Sequence, residues 1–347
     1  MGRVISTAIQ FIDGFTKPSK EVINSMRSMG NEAIKAGKQI QSAGKTITSV
    51  GSTLTKAITV PIAGVATAAV KTAADFEAAM SEVGAISGAS AQDLATLTAK
   101  AKEMGATTSF SASESAEAMK YMAMAGWKTA DMTAGIAGIM NLAAAAGEDL
   151  GTTSDIVTDG LTAFGMSAKE SGRFADVMAA ASTNANTNVT MLGESFKYCA
   201  ATAGAMGYNI EDISVALGVM ANAGIKGSTA GTTLKNVIAN MAKPTDAQAA
   251  VMQKLGISLT DSSGNMKSFA EVMNNLRTSF NGLSETEKAS YATTLAGKES
   301  MSGLLTIVNA SAADFDKLTE AINGSSGSAE AMAAKMPVSE INTRAAI

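Results

Sequence analysis

Apolar positions between residues 22 and 57 fall on a strict beat. Val22, Met26, Met29, Ala33, Ala36, Ile40, Ala43, Ile47, Val50, Leu54 and Ala57 follow one another at alternating steps of four and three. That is an a/d seam, the pattern that sets helices side by side. With Met26 at a and Met29 at d, Gly30, Gly37, Gly44 and Gly51 all take the e position beside the seam. An interior glycine costs a helix about 0.8–1 kcal/mol relative to alanine. The pattern therefore needs a partner whose backbone comes close along the glycine flank. Arg27, Lys35, Lys38, Lys45 and Lys56 fall at b, c and f, on the outer face. The spacing predicts one long helix over 19–60, roughly 60 Å if continuous at 1.5 Å per residue. Its packing seam is Met26, Met29, Gly30, Ala33, Gly37, Ile40, Gly44, Ile47, Gly51 and Leu54. Two destinations fit, another chain or the segment's own domain, because an Ala-rich seam specifies oligomers weakly.

From residue 75 the pattern changes to a shorter unit: a capping residue, an acid or amide three later, an i/i+3/i+4 apolar stripe, then glycine. Ser111 and Glu114 open one such unit, with Ala116, Met119, Met122 and Ala123 as the stripe and Gly126 as the stop. Ser167 and Glu170 precede Phe174, Val177, Met178 and Ala181; Asn209 and Asp212 precede Ile213, Leu217 and Met220. Thr245 and Gln248 precede Val251, Met252 and Leu255, and Ser268/Glu271 and Ser311/Asp314 follow. Three glycine-led openings look alike: "GWKTADMTAGIAGIMNLAA" at 126, "GMSAKESGRFADVMAAAS" at 165 and "GYNIEDISVALGVMANAG" at 207. This is a weak internal repeat of helical hairpins, of a kind that any Ala-rich helical chain also echoes. One stretch departs from helix periodicity. Ile257, Leu259 and Met266 alternate around "DSSGN", which predicts a small β-hairpin over 257–267.

The resulting architecture is all-α and elongated: a long N-terminal heptad helix, then an Ala/Met-rich multi-helix body. The expected segments are a basic arm (1–18), the heptad helix (19–60), an apolar connector (61–74), a helical core (75–242) and a C-terminal helical part (243–322). Residues 323–347, opening on "NGSSGS", read as a linker and the start of a further region.

Composition sharpens this. Hydrophobic residues make up 46% of the 347 but aromatics only 4%, so the core is built from alanine and adaptable methionine. Four prolines and few β-branched runs argue against a sheet protein. Residues 1–72 carry nine Lys/Arg and three acids, +6, and the chain as a whole is −4, so the remainder is −10. A basic arm precedes an acidic body. The start "MGRVISTAIQFIDGF" has no signal-peptide apolar region. The stretch "AITVPIAGVATAAV" (57–70) is shorter than the roughly 20 residues a membrane span needs, and Pro61 interrupts it.

Chemistry is sparse. There is no histidine, which excludes His-dependent triads, Cys–His nucleophiles and the usual zinc enzymes. Cys199 is alone and reads as a small buried apolar residue. No metal or other cofactor is expected. "AGIKGSTAGTTLKNVIANM" lacks the spacing and lysine of a phosphate-binding loop. Gly224, Gly227 and Gly231 instead mark a tight helix–helix junction, with Ser228 or Thr229 as the cap. Trp127 reads as a junction anchor. Glu299 in "GKESMSGLL" suggests a general acid for glycan cleavage, without the aromatic sugar-binding set that such a site uses. The basic arm has few aromatics to stack bases, so no specific nucleic-acid binding is expected.

Residues 42–320 resemble the core region of phage tail tape measure proteins. The likeness is carried by "LTKAITVPIAGVATAAVKTAADFEAAMSEVGAISGAS" (54–90), "LTAKAKEMGATTSFSASESAEAMKYMAMAGW" (97–127) and "IMNLAAAAGEDLGTTSDIVTDGLTAFGM" (139–166). It continues through "ADVMAAASTNANTNVTMLGESFKYCAATAGAMGYNIED" (175–212) and "LGVMANAGIKGSTAGTTLKN" (217–236). The resemblance implies a helix-rich, non-enzymatic protein packed in several copies, expected as a trimer, in the lumen of a tail tube. Its length would set tube length, and it would leave ahead of the DNA. The implied partners are a second copy, the tail tube protein and distal tail or baseplate hub proteins, with transient contact to a host membrane. The implied locations are the virion tail and, during assembly, the host cytoplasm. Arg27, Lys35, Lys38, Lys45 and Lys56 would then face the tube wall. The alternative is an ejected membrane-active or cell-wall-degrading protein that works through 57–70 or Glu299. Family members continue much further, so the chain is expected to be the N-terminal part of a longer one or the ruler of a short tail. Fully helical, it would reach about 520 Å.

Overall fold

A computed structural model describes residues 73–335. The heptad seam from Met26 to Leu54, the outer-face cations Arg27, Lys35, Lys38, Lys45 and Lys56, the 57–70 stretch and residues 336–347 lie outside the described residues. The fold is all-α, with no strand among the described residues. Two compact units are present, divided between Met124 and Ala125.

The described part of the first unit contains α1 (helical over 73–87), α2 (Ala91–Thr107) and α3 (Ala112–Met124). Reciprocal side-chain caps start α2 (Ser90 with Asp93) and α3 (Ser111 with Glu114), each satisfying amides that a helix start leaves open. Phe76, Met80, Val83, Leu97, Met104, Met119 and Met122 form its core. Lys120 reaches Glu82 at 2.7 Å, tying α3 to α1. At the α2–α3 corner Gly105 has no room for a side chain, because a Cβ there would lie 2.5 Å from the Ala112 nitrogen.

The second unit opens with α4 (Thr129–Ala146), α5 (Leu150–Phe164), a 3-10 turn (Ala168–Glu170), α6 (Ser171–Asn184), α7 (Val189–Ala205), α8 (Ile210–Asn222) and α9 (Gly227–Ala242). Helix ends repeat one device. Gly147, Gly165, Gly207 and Gly224 sit at φ of 64–86°, where only glycine is unstrained. The next amide donates to the carbonyl five residues back, as Met166 does to Leu161 and Tyr208 to Ala203. Each helix then lies beside the helix two further on, running the same way. Glu148 meets Thr190, Ile156 abuts Gly193, and Ala163 abuts Gly204, along α5 and α7. Arg173 meets Glu211 and Asn186 meets Asn222 at the two ends of α6 and α8. The linked residues are 36, 38 and 42 apart in sequence, which matches the spacing of the three glycine-led openings. The hairpins α4/α5, α6/α7 and α8/α9 thus stack as a solenoid does, with α4, α6 and α8 in one layer and α5, α7 and α9 in the other. Phe174, Met178, Cys199, Ile213, Leu217, Leu234 and Ile238 fill the space between.

The chain continues through α10 (Asp246–Leu255), α11 (Phe269–Phe280), α12 (Glu285–Ala296), α13 (Met301–Asn309), α14 (Ala312–Asn323) and α15 (Ser328–Ala333). α14 and α15 cover the α4–α6–α8 layer, and α12 and α13 pack on α9. Three sequence readings change here. The hairpin expected over 257–267 shrinks to one antiparallel bridge, Thr260 with Met266. The Asp261 carboxylate holds the turn by accepting from Ser263 and Asn265, and the returning arm has only Met266 and Lys267 before Ser268 caps α11. The stripe of Val251, Met252 and Leu255 on α10 is only half-buried. Residues 323–328, flexible by composition, are held in place. Ser325 is buried, and the Asp176 carboxylate on α6 accepts from the amides of Gly327 (2.8 Å) and Ala329 (2.9 Å), capping α15 from across the fold.

Candidate functional site

The glycine junction between α8 and α9 is the best-defined motif within the described residues. α8 stops at Asn222; Gly224 (φ 86°) reverses the chain, and the Ile225 amide closes the turn on the Met220 carbonyl. Lys226 is the residue before α9, and Gly227 is its first. Ser228 and Thr229 therefore lie inside the first turn, and neither is the cap that the sequence suggested. Gly231 then meets α7 backbone to backbone: a Cβ there would sit 2.2 Å from the Ser195 oxygen and 2.9 Å from Tyr198 Cβ. The buried Ser195 hydroxyl pins this approach, donating to the Gly227 carbonyl at 2.9 Å and lying 3.0 Å from the Met191 carbonyl. Glu194 stands beside Gly227, so a carboxylate-bearing side chain neighbours the positive end of α9. Around Gly231 the motif packs one helix against another.

Other single residues resolve as follows. Trp127 is 9% exposed and its ring fills the space over Gly135, as an anchor does. The Cys199 thiol is fully buried, and burial pushes its pKa up to about 12, far from a nucleophile's range. Glu299 lies exposed in the turn before α13. Among the described residues no group of Cys, Asp and Glu is arranged to hold a metal ion, and no helix is long and apolar enough to cross a membrane.

Two polar devices were invisible in the sequence. Asp212 is the local cap partner that the sequence suggested, its amide donating to Asn209 Oδ1 at 2.7 Å, but its side chain is buried and also reaches the N-terminus of α11, accepting from Ala270 at 2.9 Å. Desolvation pushes its carboxyl above the usual range, against the pull of that amide. Arg173 bridges α6 to α8 with a two-point contact to Glu211 (2.7 and 2.8 Å) and reaches Glu170 at 3.2 Å. On the outward side of α5 and α7 stand Asp155, Asp159, Met191 and Tyr198. Partial burial, then Asp159, raises the Asp155 carboxyl, with Lys197 opposing.

Residues 98–297 match the family described as phage-related minor tail protein. Over 280 residues the chain is 39% identical to the tape measure protein of Pneumococcus phage Dp-1, covering 81% of this chain and 24% of that protein. Over 283 residues it is 27% identical to the probable tape measure protein of Escherichia phage P2, covering 78% of this chain and 35% of the relative. The chain thus spans about a quarter to a third of the length of these relatives. No solved structure matches it.

Proposed function

The chain belongs to the phage-related minor tail protein family, and from that premise we propose that it is the core-bearing part of a phage tail tape measure protein. The observation that carries this reading is the 39% identity to a tape measure protein across 81% of the chain. In this reading several copies, a trimer, occupy the tail tube lumen, touch the tube protein and the distal hub, and leave ahead of the DNA. The chain acts in the virion tail and meets its partners in the host cytoplasm during assembly. It performs no catalysis.

The fold refines the division of labour. A ruler that adds a fixed length per residue must be extended, at about 1.5 Å per residue if helical. Residues 125–335 do the opposite, folding back through stacked hairpins. The ruling segment is therefore assigned elsewhere, to heptad sequence such as 19–60 or to the additional length its relatives carry, and the stacked body to anchoring or ejection.

The test is a deletion series in the parent phage, with tail length read by electron microscopy. Removing whole heptads outside 73–335 is expected to shorten tails by about 1.5 Å per residue. Unchanged tail length across that series would overturn the ruler reading for this protein. Dye leakage from liposomes and peptidoglycan zymography test the membrane-active or lytic alternative, and both are expected to be silent.

A further inference from the structure

Asparagine directly before glycine occurs twice in the chain, at Asn281–Gly282 and Asn323–Gly324. The dipeptide sets a side-chain amide beside a backbone nitrogen that no Cβ shields. The fold treats the two copies unequally, although both asparagines are exposed. Asn323 is the last residue of α14, and the Gly324 amide donates to the Glu320 carbonyl at 2.9 Å. Asn281 follows the end of α11 and takes the first central position of a type II turn. Its φ and ψ are −66° and 131°, Gly282 has φ 86°, and the Leu283 amide donates to the Phe280 carbonyl at 3.3 Å. The Asn281 amide is held by the Arg277 and Thr278 carbonyls, so the chain is fixed up to this residue. Just after it the hold ends. Among the described residues neither the Asn281 side chain nor the Gly282 amide has a hydrogen-bond partner, and a Cβ at Gly282 would meet nothing within 4 Å.

We propose that Asn281 is a site of spontaneous deamidation in the native protein and that Asn323 is protected from it. The Gly282 nitrogen attacks the side-chain carbonyl carbon of Asn281 and closes a cyclic imide. The bond to the side-chain nitrogen breaks, and ammonia leaves with the proton that the Gly282 amide gives up. Water then opens the ring at either carbonyl, leaving aspartate at position 281 or its β-linked isomer; nothing is oxidised or reduced. Closure needs the 281–282 peptide to rotate away from ψ 131°, and the 3.3 Å Leu283 bond resists this across the turn. At Asn323 the same attack must first break the Gly324 bond to Glu320 in the last turn of α14. Deamidation at 281 adds a negative charge shortly before Ser284, the cap of α12. The β-linked isomer also lengthens the backbone between that cap and the buried Phe280.

The experiment incubates the full chain in mildly alkaline buffer, native and in urea, and follows both peptides by mass spectrometry with fragmentation that separates the two aspartyl isomers. In the native chain Asn281 is expected to convert, with the β-linked isomer among the products. Asn323 should convert roughly 5-fold more slowly or less, as the need to break one backbone hydrogen bond first implies. In urea the two rates should converge. Asn281→Gln, whose longer side chain closes a larger and slower ring, should remove the native ammonia release while leaving the melting curve in place. A native chain in which Asn281 converts no faster than Asn323, or stays intact while both react in urea, would overturn the proposal. So would a gap that persists in urea, since it would belong to the neighbouring residues and not to the fold.

Discussion

The closest backbone approach at the α8–α9 junction gives a sharp prediction at Gly231. Alanine in a helix interior normally gains about 0.5–1 kcal/mol over glycine. At Gly231 the added Cβ would lie 2.2 Å from the Ser195 oxygen, where a relaxed carbon–oxygen contact needs about 3.3 Å. α9 must therefore retreat from α7 by about 1 Å. Overpacking of this kind costs about 1–3 kcal/mol. The retreat also stretches the Ser195 hydroxyl bond to the Gly227 carbonyl, worth about 1 kcal/mol. With the helical gain subtracted, Gly231→Ala should lose about 1–3 kcal/mol, or roughly 2–4 °C of melting temperature per kcal/mol in a unit of this size. Gly172 on α6 is the matched control: a Cβ there meets nothing within 4 Å, so Gly172→Ala should gain a few tenths to about 1 kcal/mol. Urea titrations followed by Trp127 fluorescence and helical circular dichroism measure both, since Trp127 is the single tryptophan and is buried in the same unit. A Gly231→Ala protein as stable as the parent would refute the close-approach argument.

Acid stability should divide between two carboxylates. Glu170 is held below the usual range, first by the Ser167 amide, so its stabilisation is present above about pH 4.3 and is lost as pH falls through its lower folded value. Glu170→Gln should flatten the fall in melting temperature below that pH, and an unaltered acid limb would count against it. Asp212 has the opposite sign: its raised carboxyl favours the fold at low pH, and that contribution fades as pH rises through the folded value. Asp212→Asn, which keeps an acceptor for Ala270, should be neutral or stabilising at pH 7; marked destabilisation there would contradict it. Asp176→Ala should raise amide hydrogen exchange across 327–333 while leaving α9 protected, because it removes only the cap of α15; no local change would mean that packing alone holds that helix. Cys199, with its thiol pushed up to about 12, should resist a thiol reagent at pH 8 and react at once in urea; rapid labelling of the native chain would show that α7 opens.

Much of this fold was written locally. Ser111 with Glu114, Thr245 with Gln248 and Ser268 with Glu271 each cap the helix that their spacing announced, while Ser167 with Glu170 caps the 3-10 turn that leads into α6. Each exchange closes within four residues, so no tertiary information is needed to see it. The apolar stripes of α3, α6 and α8 likewise pointed inward, and the glycine-led spacing foreshadowed the stacked hairpins. The heptad seam, the outer-face lysines and the 57–70 stretch remain readings of sequence.

What the tertiary structure decided are contacts whose partners lie far apart in the chain. No local pattern tells that Asp212 caps a helix 58 residues onward, that Asp176 holds the start of α15 across 151 residues, or that Ser195 seats Gly227. The residue types involved are ordinary in local context: an acid at a helix N-terminus, a serine inside a helix, a glycine where alanine would propagate better. Their roles follow from which backbone arrives opposite them. Composition and capping thus determined where helices begin and end. The direction in which those helices stack and the buried carboxylate were set by packing, since side-chain burial exists only once distant segments meet.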